Sequence, residues 1–268
     1  MAIHAAKLDA LRRVRRNGGV PTFFDSLVLA VPESAEDDRS SSLRQRITST
    51  LEAAQQGFVD PLSRLDLGVR TDVTAYVRSC SQGTETVGEW MGRALFKSVF
   101  DLGVYQQLMQ RVRPRTVIEI GSGTGASALW FRSMGLALGL TCRVLSVDLA
   151  PPPAVDDEGV TFLAGDAADL EGALTADVLS MLPRPWLVVE DAHVHVPKVL
   201  RFFDRQLRGG DCLVIEDSRG KQDCLRDFLV AGTEAVYLAD SALIDFYGIN
   251  ATSAVNSIWR VREPAVLS

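Results

Sequence analysis

The 268-residue sequence is poor in the residues that mark several functional classes. Its four cysteines, Cys80, Cys142, Cys212 and Cys224, show no C-x-x-C spacing, which argues against a disulfide framework and a cysteine-based zinc site. Cys142 and Cys212 sit in strand-like apolar runs where a thiol behaves as a small apolar residue, and this usage suits a reducing cytoplasm. Basic charge is scarce too. The formal net charge is -6, and the one basic cluster, Leu11–Arg16, reads as a solvated face of a terminal helix, so nucleic acid is not expected as a partner. There is no apolar stretch long enough to span a bilayer and no signal-peptide core, so no membrane partner is expected either. The sequon Asn250–Thr252 is accordingly not expected to carry a glycan.

What is present is an ordinary globular composition, 47% hydrophobic, ample for one large core. The chain divides near residue 85. Residues 1–85 read as a helical N-terminal appendage, a lid or an oligomer contact, with a helix over Leu43–Gln56 and breaks at Asn17–Gly19, in the acidic loop Glu33–Ser42 and at Pro61. Residues 86–268 alternate short β-rich runs with helical segments. Strands are predicted at Thr116–Ile120, Arg143–Val147, Val160–Leu163, Trp186–Glu190, Cys212–Glu216, Ala235–Leu238 and Ser257–Val261. Helices are predicted at Ala126–Leu138, Leu170–Met181, Val196–Leu207 and Gln222–Val230. Apolar strands separated by helices indicate an α/β, Rossmann-like fold with a parallel sheet covered on both faces. Right-handed crossovers bring the carboxyl ends of the strands to one edge, where ligands bind.

The residues that end each strand are therefore the informative ones. The first strand runs into Gly121, Ser122, Gly123, Thr124, Gly125, Ala126 and Ser127, a glycine-rich turn that lets backbone approach a ligand and offers free N–H groups at a helix start. Gly121-x-Gly123-x-x-Ala126, with Asp148 after the second strand, fits a ribose-binding site in either a nucleotide dehydrogenase or an S-adenosylmethionine enzyme. Two acids favour the second. Glu119, just before the glycines, would meet the ammonium of a bound amino acid but repel a pyrophosphate, and Asp166, followed by Ala167 after the third strand, is placed for the amine of adenine. The alternative for Asp166 is a helix N-cap, a place that Asp169 would fill equally well.

The fourth and fifth strands both end in Glu-Asp, Glu190–Asp191 and Glu216–Asp217. Four carboxylates on neighbouring strand ends raise one another's pKa unless a cation joins them, and oxygen donors suit Mg²⁺, Mn²⁺ or Ca²⁺. His193 then becomes a candidate general base beside the metal, while His195 is read as an exposed loop residue.

From about Trp90 to Arg262 the chain resembles the metal-dependent methyltransferases that include cephalosporin-hydroxylase-like proteins and the macrolide and aminocoumarin sugar O-methyltransferases. The matching stretches are Trp90–Gly92, Lys97–Gln106, Arg113–Trp130, Pro185–His193, Gly210–Asp217 and Tyr247–Asn256. The resemblance implies a class I S-adenosylmethionine-dependent methyltransferase fold and O-methylation of a small molecule in specialised metabolism such as antibiotic biosynthesis. It also implies a homo-oligomer, Glu190, Glu216 and Asp217 as Mg²⁺ ligands, Glu190 beside the cofactor, and His193 as base. Relatives tend to carry Asp in D-x-x-H, whereas Glu190 holds that frame here and Asp191 follows it, so either can be the first ligand.

Overall fold

In the computed structural model, residues 57–77 and 88–263 are described. The helix predicted at Leu43–Gln56 and most of the N-terminal appendage lie outside these residues. The compact unit that carries the sheet begins at Phe58. Residues 58–65, assigned from the sequence to the appendage, supply it with an edge strand β1 (Phe58–Val59) and a helix α1 (Pro61–Leu65).

After a two-stranded ribbon, β2 (Gly88–Trp90) and β3 (Arg93–Leu95), comes helix α2 (Val99–Val112). Its start is fixed by Ser98, whose side chain accepts the N–H of Asp101, and its end by Arg113 in the left-handed conformation directly before Pro114. The Rossmann-like part then follows: β4 (Thr116–Ile120), α3 (Ala126–Ala137), β5 (Arg143–Asp148), β6 (Val160–Ala164), α4 (Leu170–Ala173), α5 (Ala176–Ser180), β7 (Trp186–Glu190), α6 (Val196–Asp204), β8 (Cys212–Ile215), α7 (Gln222–Val230), β9 (Tyr237–Asp240), α8 (Ser241–Ile244) and β10 (Ile258–Val261). The helix expected over Leu170–Met181 is two short helices, because Thr175 caps a fresh start by accepting the N–H of Val178.

Eight strands form one sheet in the order β1-β9-β10-β8-β7-β4-β5-β6. Strands β4 to β8 are mutually parallel, as expected. Strand β10 departs from the parallel reading and runs antiparallel to both β8 and β9. The loop after α8 stays at the carboxyl edge and no crossover helix carries the chain back, so β10 can enter only from that edge. Every residue of β4 and β7 is buried, so these central strands are sealed on both faces and only their ends are open to ligands. Among the described residues no helix is long and apolar enough to cross a membrane.

Candidate active site

A cavity of about 330 Å³ opens at the carboxyl ends of β4, β5, β6 and β7. Its floor is the glycine turn. Gly121 has φ +103°, and a Cβ there would stand 2.6 Å from the carbonyl carbon of Asp191, so only glycine lets β4 turn beneath the end of β7. Gly121, Ser122, Gly123 and Ser127 line the cavity. Gly125 does not. It opens α3 at φ +79° and is packed against Arg93 and Phe162, so its glycine serves the ribbon contact rather than the ligand.

Asp148 lines the cavity and is tied by backbone: its two oxygens accept the N–H groups of Gly123 and Ala150, each at 3.0 Å. Glu119 is fully buried. Its Oε2 accepts from Ser146 Oγ at 2.6 Å, which in turn contacts Ser122 Oγ at 2.7 Å, and its Oε1 has no hydrogen-bond partner. Burial pushes its pKa up to about 7, against the opposing pull of Lys97. Asp166 is exposed and its Oδ1 accepts the N–H of Ala168 at 2.7 Å in a local turn, whereas the N-cap of α4 is Asp169; its neighbours Gly165 and Ala167 line the cavity.

The four acids after β7 and β8 do not converge on one point. Each pair splits, the glutamate buried and the aspartate more exposed. Glu190 is fully buried, its Oε1 accepting the N–H of His193 at 2.9 Å and its Oε2 an N–H of Lys221 at 2.7 Å. Glu216 is buried as well, its Oε1 accepting from Lys97 Nζ at 2.6 Å and from the Tyr105 hydroxyl. Burial, then the charge of Asp191, raises the Glu216 pKa to about 7, and Lys97 opposes both. Burial disfavours the Lys97 ammonium in its turn, but Asp191, Glu216 and Glu119 outweigh it and hold its pKa well above the ordinary lysine value. Lys97 also donates to Asp191 Oδ2 at 2.9 Å.

Asp191 lines the cavity, and Asp217 is exposed beside it. Asp191 Oδ1 and Asp217 Oδ2 each lie 3.3 Å from His193 Nε2. His193 and Asp191 line the cavity, and Glu190, expected beside the cofactor, stands directly behind His193. Among the described residues, no group of three His, Cys, Asp or Glu side chains stands close enough together to hold a metal ion. The expected ligands stand together at this edge: Glu190 accepts from Lys221, Glu216 and Asp191 from Lys97, and one oxygen each of Asp191 and Asp217 flanks His193.

Sequence reasoning missed Lys97, Lys221 and Tyr105 as members of the site. The one available signal was Lys97 itself, a lone charge flanked by Leu95, Phe96 and Val99 in a stretch otherwise fit for burial. Lys221 follows a polar turn and nothing local distinguishes it.

A model of the family described as rhamnosyl O-methyltransferase/CmcI matches residues 83–223. A rhamnosyl O-methyltransferase of Mycobacterium leprae (strain TN) is 30% identical over 138 residues, 48% of this chain and 59% of that protein. One of Mycobacterium tuberculosis (strain ATCC 25618 / H37Rv) is 29% identical over 140 residues, 48% of this chain and 56% of that protein. The matches thus span little more than half the length of these curated relatives. Among solved structures, an apo structure of CmcI-N160 superposes with a TM-score of 0.55 at 26% identity, covering 66% of this chain and 77% of that one. A Mg-SAM structure of CmcI-D160 gives 0.52 at 26% identity, covering 65% and 76%.

Proposed function

The chain belongs to the rhamnosyl O-methyltransferase/CmcI family, whose model matches more than half of it, and from that membership we propose that it is an S-adenosylmethionine-dependent O-methyltransferase. Its acceptor would be a hydroxyl of a small molecule, a natural product or its sugar, and a divalent cation such as Mg²⁺ would assist. The observation that carries the reading is the join of two features at one sheet edge: a glycine-floored cavity, and Asp191 and His193 on its wall with Asp217 against the histidine. The name of the mycobacterial relatives supports the sugar hydroxyl, and the magnesium and cofactor in the CmcI structure support the cofactors. The same membership is the ground for proposing a homo-oligomer. Cys142, Cys212 and Cys224 are free, which suits the cytoplasm.

The residues present fit these groups. Glu119 Oε1 is a buried carboxylate oxygen in want of a donor beneath the glycine turn, as a ligand ammonium would require. Asp148 stands at the end of β5 for a ribose hydroxyl, with Ser122, Ser127 and Ala167 on the wall. Asp191 and Asp217 supply hard oxygen donors for a divalent cation. When bound, S-adenosylmethionine supplies an electrophilic methyl group and the cation lowers the pKa of the acceptor hydroxyl. The chain's own work is to orient that hydroxyl, exclude water and take its proton. His193, between the two aspartates, is the centre of the cluster that receives it.

Calorimetric titration of chelator-stripped protein with S-adenosylmethionine, NAD(H) and then Mg²⁺ tests this, with wild type beside Asp217→Asn. Saturable S-adenosylmethionine binding, plus a Mg²⁺ response weakened about 10- to 100-fold in the variant, is expected. Binding of NAD(H) in place of S-adenosylmethionine would sink the proposal.

A further inference from the structure

Residues 94–97 and 121–124 both line the cavity, so a ligand held there sits against the ribbon as well as the glycine turn. These two walls are fastened to each other at Thr124. Its hydroxyl donates to the carbonyl of Ala94 at 2.5 Å, and its own carbonyl accepts from Arg93 Nη1 at 2.8 Å. One residue of the turn is thus gripped through side chain and backbone by two consecutive residues of β3. The far end of the same stretch is held by Lys97, which donates to Glu216 and Asp191.

A guanidinium is not what the start of a helix attracts. Helix α3 begins at Gly125, its N-cap, and the dipole there favours anions and opposes a cation. Yet the turn makes room for one. A Cβ on Gly125 would stand 2.8 Å from Arg93 Nη1, with Phe162 and Pro152 equally close, so the last glycine of the turn seats the arginine. The guanidinium is compensated by the Thr124 carbonyl, by the Pro153 carbonyl at 3.4 Å from Nη2, and by the Phe162 ring, whose centroid lies 5.9 Å from Cζ. Arg93 therefore joins the ribbon, the glycine turn and the loop between β5 and β6. A local preference set aside beside a ligand cavity is the mark of a functional position.

We propose that Arg93 is a positioning residue for the cofactor: by tying the Thr124 carbonyl to the ribbon it fixes the glycine turn and sets the gap between the two walls that a cofactor fills. Arg93 does not line the cavity, so it acts through the turn. The peptide group is planar, and holding the Thr124 carbonyl also orients the N–H of Gly125. That N–H donates to the Ser122 carbonyl at 2.7 Å and closes the turn. Ser122 and Gly123 are on the cavity wall, and through them the orientation reaches the ligand. The joint between ribbon and turn follows from these contacts, whereas the identity of the cofactor rests on the methyltransferase reading.

Two measurements on the full chain test this, with urea unfolding confirming that each variant is folded. The first needs no ligand. Amide hydrogen exchange across residues 122–126 should quicken about 10-fold in Arg93→Met, and less in Arg93→Lys, whose ammonium still reaches the Thr124 carbonyl. Ser133→Ala is the control. It removes the bond from Trp90 Nε1 to Ser133 Oγ at 3.3 Å, which ties the ribbon to α3 away from the cavity, and should leave exchange in the turn unchanged. The second is titration and stopped-flow release of S-adenosylmethionine. Arg93→Met should bind it about 10-fold more weakly, chiefly by faster release. Thr124→Val, which loses the hydroxyl bond to Ala94, should weaken binding as well, and the double variant should lose less than the two single losses multiplied, because both act on one joint. With a methyl acceptor in hand, Arg93→Met should raise the KM for cofactor and leave kcat nearly unchanged. Exchange in the turn equal to wild type, or faster exchange with unchanged affinity, would overturn the proposal. So would equal effects in Arg93→Met and Ser133→Ala, which would make the whole ribbon, not its joint at Thr124, responsible. If wild type binds no S-adenosylmethionine, the methyltransferase reading fails, and the exchange rates still decide whether Arg93 holds the turn.

Discussion

The two halves of the carboxyl edge satisfy their acids by different means. At the ends of β4 and β5, acids are met by groups a few residues away or on the adjoining strand: Asp148 by the amides of Gly123 and Ala150, Glu119 by the hydroxyl of Ser146. At the ends of β7 and β8, the partners of the buried acids include ammonium groups. Lys221 holds Glu190, and Lys97, from the segment between β3 and α2, holds Glu216 and Asp191. Local amides make a rigid floor with little net charge. Lysines instead bring positive charge to Glu190, Glu216 and Asp191, so the second half is where charge is concentrated.

The sharpest way to break this contrast is to remove a lysine. Lys97→Met leaves Glu216 and Asp191 without their buried counter-charge, and loss of one partner of a buried pair costs about 3–5 kcal/mol. Urea unfolding should show a loss of that size, and Lys97→Met combined with Glu216→Gln should lose less than Lys97→Met alone, since the uncompensated charge is then gone too. Equal losses in the two variants would mean that packing, not charge, makes Lys97 necessary.

The next effect lies in the other half and depends on pH. Glu119 has a folded pKa of about 7 against an ordinary 4.5, so the folded protein holds this proton more tightly than the unfolded chain. The stability that protonation confers is fully present below pH 4.5 and is lost as pH rises to about 7, falling by about 1.4 kcal/mol per unit between them, some 3 kcal/mol in all. Asp101, raised by burial to about 6, adds a slope of the same sign, so the measurement is a difference. Wild type minus Glu119→Gln, followed by denaturant unfolding from pH 4.5 to 8, should isolate the Glu119 share. A flat difference would mean that Glu119 already has a partner for its bare oxygen.

The same contrast explains what the sequence could disclose. Strands β4, β5 and β7 and the glycine turn were legible because each is dictated locally, by apolar runs and by φ values only glycine takes easily. Asp148 was legible because it ends the apolar run of β5 beside the glycine turn, although only Ala150 of its two amide partners is its neighbour in sequence. The lysine half was not. Pairing Lys97 with Glu216 joins residues 119 positions apart, and no local pattern records which of two adjacent acids turns inward. The sequence therefore placed four carboxylates at the right edge and could not tell that Glu190, Glu216 and Asp191 accept from lysines or that Asp191 also lines the cavity. Strand β10 was found as a strand with its direction missed, because direction depends on the path of the preceding loop.

The smallest effect tests whether the amide-held half behaves as a floor. Asp148→Asn keeps the shape and one accepting oxygen but gives up the charge and one of two backbone amides. Loss of one such hydrogen bond at a partly open site costs about 1 kcal/mol. Global stability should therefore change little, well below the Lys97→Met loss. The consequence should appear in ligand binding, because Gly123 is freed to move at the point where the turn meets the cavity, and S-adenosylmethionine affinity should fall about 10-fold. If stability falls as far as in Lys97→Met, the two halves are fastened alike and the contrast between them is lost. If affinity is unchanged while stability falls slightly, Asp148 is a turn residue and the ribose contact belongs elsewhere on the wall.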